Sequence, residues 1–96
     1  MPNATYQFKE VYLNTNLVEI SIGGRPGNPN RSSGIIYDVY IDSLNQVAIT
    51  ALAEGPEDAE FSLEVTVGGS SIEPKKIIRI VKANGKGAIR GYFKVS

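Results

Sequence analysis

Apolar residues recur along this chain mostly at every second position. That is the period of a half-buried β-strand, whose successive side chains point to opposite faces. The clearest stretch is EFSLEVTV: Phe61, Leu63, Val65 and Val67 share one face, and Glu60, Ser62, Glu64 and Thr66 the other. LVEISI repeats the pattern with Val18, Ile20 and Ile22 inward and Glu19 and Ser21 outward. QVAITALA places Val47, Ile49 and Ala51 on one side, and IIYDVYID alternates Tyr37, Val39 and Ile41 with Asp38, Tyr40 and Asp42. In TYQFKEVYL, Tyr6 and Phe8 align before the phase shifts to Val11 and Leu13, which predicts a β-bulge at Glu10-Val11.

KKIIRIVKA and AIRGYFKV flank Asn84-Gly85, a strong signal for a hairpin closed by a two-residue turn. In that register Arg79 stands opposite Arg90, a like-charge pair that costs up to about 1 kcal/mol. The conflict is relieved by a longer loop, by Glu60 or Glu64 from the acidic strand, or by an external anion. No apolar pattern of period 3.6 is long enough for a helix, and TALAEGPEDAE is interrupted by Gly55-Pro56. About seven short strands separated by glycine, proline and asparagine turns predict an all-β fold. The expected architecture is a single antiparallel β-sandwich over residues 1–96, immunoglobulin-like, with a small β-barrel or jelly roll as the competitor.

Composition acts on this picture mainly by subtraction. The chain has no cysteine, histidine or tryptophan. It therefore lacks a thiolate nucleophile, the commonest general base, the commonest metal ligand and the best stacking ring. An enzyme would need paired carboxylates, a lysine or a tyrosine, or oxygen-bound metal. Asp38 and Asp42 on one strand face would lie about 13 Å apart, too far for a carboxylate pair. Glu54, Glu57, Asp58 and Glu60 lack the ordered spacing of a calcium loop and read as a solvated acidic turn. No catalytic residue, metal or cofactor is expected, and the chain is read as a non-catalytic module for protein interaction or assembly.

Charge supplies the first hint of where contact occurs. Net charge is zero, yet residues 75 to 96 carry seven bases and no acid, while residues 54 to 64 carry five acids and no base. Either adjacent strands neutralise one another, or a basic face carrying Arg79 and Arg90 meets an anionic partner, including a second copy of the chain. A sequence pI near 6.2 disfavours nucleic acid. The segment GGRPGNPNRSSG, residues 23 to 34, is longer than a hairpin loop and reads as a crossover between sheets. Arg25, Asn28, Asn30 and Arg31 make its tip a candidate contact, as in a loop-presenting inhibitor. Among the tyrosines, Tyr6 and Tyr37 fall on inward phases and Tyr40 and Tyr92 on outward ones, with Tyr12 ambiguous across the bulge. Tyr40, Tyr92 and the loop asparagines would serve a carbohydrate-binding module.

The partner expected is thus a protein or a second copy, with polysaccharide as the alternative. No run approaches the roughly 18 apolar residues that span a bilayer, so no membrane insertion is expected. MPNATYQFKE shows no basic segment followed by an apolar stretch. That places the chain in the cytoplasm by default, or makes it a mature fragment of a secreted protein.

Overall fold

The computed structural model describes residues 1–11 and 14–96. Its strands are β1 (Ala4–Glu10), β2 (Asn16–Ile22), β3 (Arg25–Pro26), β4 (Ser33–Ile36), β5 (Gln46–Glu54), β6 (Glu60–Val67), β7 (Ser70–Ile80) and β8 (Lys86–Val95). They hydrogen-bond in the order β3-β2-β5-β8-β7-β6-β1-β4, every pair antiparallel, in one nearly closed, barrel-like sheet. The all-β, helix-free class is what the period-two pattern predicts. Among the described residues no helix is long and apolar enough to cross a membrane.

Alternation decides which side chains fill the interior. Phe61, Leu63, Val65 and Val67 of β6 are buried, as are Val47, Ile49 and Ala51 of β5 and Ala4, Tyr6 and Phe8 of β1. Each large apolar side chain so buried contributes about 1.5–3 kcal/mol. Phe8 and Phe61 meet as a tilted aromatic pair with ring centroids 5.8 Å apart. Tyr6 is inward, as expected, and its hydroxyl donates to the Asn28 carbonyl oxygen at 2.7 Å.

Several expectations are corrected. The phase shift after Glu10 is not a bulge within β1, because the strand ends at Glu10 and Val11 is exposed. Leu13 and Tyr12 lie outside the described residues. The bulge falls in β2, between Leu17 and Glu19. It inserts Val18 as an extra residue, so Val18 faces outward and Leu17 takes the inward place with Ile20 and Ile22.

IIYDVYID does not form one strand. β4 stops at Ile36, and the backbone then bonds across the end of the barrel to two separate segments, the one before β1 and the turn after β2. Val39 N donates to Pro2 O at 2.9 Å and Tyr40 N to Gly23 O at 3.0 Å. Asp38 sits at φ +56° and breaks the alternation. Val39 is left fully buried as an end plug while Tyr37, expected inward, is 63 % exposed.

The Asn84-Gly85 turn is wider than two residues. Gly85 N donates to Lys82 O at 3.0 Å and Lys82 N to Lys86 O at 2.9 Å, enclosing three loop residues with Gly85 at φ +79°. That is the three-residue hairpin loop, which needs a left-handed residue only at its last position. Beyond it the strands part: Arg79 registers with Phe61 of β6, and Arg90 with Thr50 of β5. The opposed arginines therefore do not occur. β7 rejoins β8 through Ile72–Val95 and Glu73–Lys94, which leaves a lengthwise seam between the two strands.

Candidate functional site

The loop from residue 23 to 34 resolves into two pieces. Gly23 and Gly24, at φ +58° and +78°, form a two-residue turn that pairs Ile22 with Arg25. Two consecutive positive φ values define the turn type whose twist matches a hairpin. Residues 27 to 32 then run from the β3 edge to the β4 edge of the one sheet. Asn28 anchors this crossing twice: its carbonyl accepts from Tyr6, and its Oδ1 accepts from Asn30 N at 3.0 Å. Arg25 Nε donates to Asp38 O at 3.4 Å, tying the hairpin to the end plug. Arg31 is exposed on the crossing.

The end plug settles the position of Tyr40. A Cβ on Gly23 would lie 2.6 Å from Val39 Cβ and 2.7 Å from Tyr40 N, so this close approach requires glycine. Tyr40 emerges beside the turn, and Tyr92 on β8 reaches the same place because its register partner on β5 is Ala48. Together with Gly23, Gly24, Asp42 and Gln46 they line a shallow cleft of about 220 Å³. Tyr40 and Tyr92, at 59 % and 70 % exposed, are its projecting walls, as their outward phases predict.

Asp42 and Gln46 belong to this cleft and were not foreseen in the sequence. Asp42 Oδ1 accepts from Leu44 N and from Gln46 N, both at 2.9 Å. Asp42 N donates to Gln46 O at 2.9 Å, Asn45 N to Asp42 O at 3.0 Å, and Asn45 stands at φ +59°. This loop thus repeats the construction of the 82–86 turn. The Asp-x-x-Asn spacing of a turn was its available signal.

The other expected contact residues are dispersed. Asn30 lines a separate polar hollow with Glu10, Thr15 and Asn16, near the start of β2. Gly23, just past the far end of that strand, is about 23 Å along the chain from Asn16 at 3.3 Å per residue. Asn30 therefore does not join the two tyrosines, and neither loop asparagine lines their cleft. Arg79 lies along the seam, where its Nη1 donates to the Ile78 carbonyl oxygen at 2.9 Å. That carbonyl faces away from β6 and has no strand to receive, so the guanidinium has a structural task there.

Register also sorts the segregated charges. Glu54 stands opposite Lys86, Glu64 opposite Lys76 and Glu73 opposite Lys94. Acids and bases thus occupy opposed register positions on adjacent strands of one molecule. Arg90, two residues from Tyr92 on the same outer face of β8, is opposite the neutral Thr50. Among the described residues, no group of three or more acidic, histidine or cysteine side chains is gathered that could hold a metal ion. Comparison with protein-family models, curated proteins and solved structures returns no match, so the meaning of the site rests on its own chemistry.

Proposed function

We propose that this chain is a non-catalytic binding module that meets its partner with the outer face of β5 and β8, centred on Tyr40 and Tyr92. One observation carries the reading: two exposed tyrosines from separate segments are held together around a cleft floored by Gly23, Gly24 and Ala48. Tyrosine offers a large, stiff contact area with a polar tip, and so suits a solvent-facing contact site. The single carboxylate of the cleft has one oxygen engaged by two backbone N–H groups, which favours a scaffolding role over acid–base chemistry.

We read the barrel-like sheet as a flattened sandwich of immunoglobulin-like character. Its support is the two-pair β7–β8 ladder, which leaves β4-β1-β6-β7 and β3-β2-β5-β8 as two layers. Assembly through a basic hairpin on an acidic strand of a second copy is less favoured, since those charges already oppose each other within the chain. A loop-presenting inhibitor is also less favoured, because Tyr6 and Arg25 tie residues 23 to 34 to the body.

The test compares immobilised wild-type chain with Tyr40→Ala/Tyr92→Ala and with Arg25→Gln/Arg31→Gln on extracts of the native source. Retention of a defined partner should fall at least tenfold in the tyrosine variant, with an unchanged Tm. Retention that survives there and disappears in the arginine variant would move the contact to the loop.

A further inference from the structure

We propose that the Tyr40–Tyr92 cleft takes one unit of an acidic oligosaccharide, whose neighbouring carboxylate is bound by Arg90. The inference rests on the tyrosine face as the contact site and names its ligand. Size is the first argument. About 220 Å³ is below the roughly 300–1,000 Å³ of sites for drug-sized ligands, and suits a single sugar ring. Chemistry is the second. The C–H face of a pyranose packs on a tyrosine ring. The Gln46 amide and the free side of the Asp42 carboxylate supply a donor and acceptors for its hydroxyls.

Charge decides the class. Arg90 and Lys94 stand two residues either side of Tyr92 on the same face of β8, which opposes a cationic ligand. Lys94 stands opposite Glu73 and Lys86 opposite Glu54, so each has an acid in its register pair. Arg90 faces Thr50 and has no acid in its register pair. It lies about 6.7 Å along the strand from Tyr92, the reach of an adjoining ring. Guanidinium is also the side chain that best grips a carboxylate, through two parallel hydrogen bonds. One available arginine suits a sparsely charged chain. A phosphate at every unit would call for a more basic face, and the net charge is zero.

The test is titration of the full chain with hexagalacturonate, maltohexaose and a thymidine decanucleotide, read by backbone amide chemical shifts. Variants are Tyr92→Ala, Arg90→Gln and, as a control on the opposite sheet face, Lys9→Gln. Hexagalacturonate should shift residues around Gly23, Gln46 and Tyr92. Tyr92→Ala should abolish the effect, Arg90→Gln should weaken affinity about tenfold or more, and Lys9→Gln should leave it unchanged. Equal binding of maltohexaose with no effect of Arg90→Gln overturns the acidic ligand and leaves the tyrosine face standing. Tighter binding of the decanucleotide through the same residues overturns it in favour of single-stranded nucleic acid. If no probe shifts the cleft, the sugar reading is wrong, and partner retention by the tyrosine variant separately judges the face.

Discussion

Gly23 and Gly24 are neighbours in one turn, but they do different work. Both need positive φ, which costs a side-chain-bearing residue roughly 1 kcal/mol. Only Gly23 is also pressed against another segment, with Val39 Cβ and Tyr40 N within 2.7 Å of an added Cβ, while nothing lies within 4 Å of Gly24. Gly24→Ala is therefore expected to lose about 1 kcal/mol, and Gly23→Ala about 1–3 kcal/mol more. Urea unfolding of the two variants measures the difference, and equal losses would refute the contact. Gly23→Ala should also move Tyr40, so its cleft amide shifts should differ from wild type before any ligand is added.

At the scale of strands, the seam makes a residue-by-residue forecast. Val81 N bonds to Ala59 O, so the odd-numbered residues of β7 face β6, and the even-numbered Lys76, Ile78 and Ile80 face the seam. On β8, Val95 N bonds to Asn45 O, so odd residues face β5, and Ala88, Arg90 and Tyr92 face the seam. Amide exchange should be fast at these six positions and slow at Ile77, Arg79, Ile89 and Gly91. Uniform protection along β7 would mean that the seam is closed. The strands themselves were readable where alternation is unbroken, as in β5 and β6. Val18 and Tyr37 were misplaced because a bulge and a left-handed Asp38 reset the phase, and neither leaves a hydrophobic mark in the sequence. Gly23-Gly24 did carry a hairpin signal, obscured by the proline- and asparagine-rich stretch that follows. Tyr40 and Tyr92 were legible as outward residues. Their meeting was not, because it depends on residues 37 to 41 crossing the barrel end.

Across the whole molecule, measuring 37 × 22 × 18 Å, opposite charges are matched by register rather than buried. Exposed pairs of this kind contribute about 0–1 kcal/mol each and are screened by salt. Raising sodium chloride from about 0.02 M to about 1 M should therefore shift stability by no more than about 3 kcal/mol. Glu64→Gln alone should cost under about 0.5 kcal/mol, checked by thermal unfolding. The strong constraints lie inside, and one is unusually exacting. A Cβ on Gly87 would fall 2.5 Å from Phe61 Cε1 and 3.0 Å from the Ile80 carbonyl oxygen, where β8 passes over β6 and β7. For the history of this protein that contact works as a ratchet. Position 87 can gain a side chain only after position 61 has given up its ring and the Ile80 carbonyl has yielded slightly, and once both residues have changed, restoring the phenylalanine alone is blocked. Descendant sequences should then divide into two compatible pairs, with few lineages passing between them.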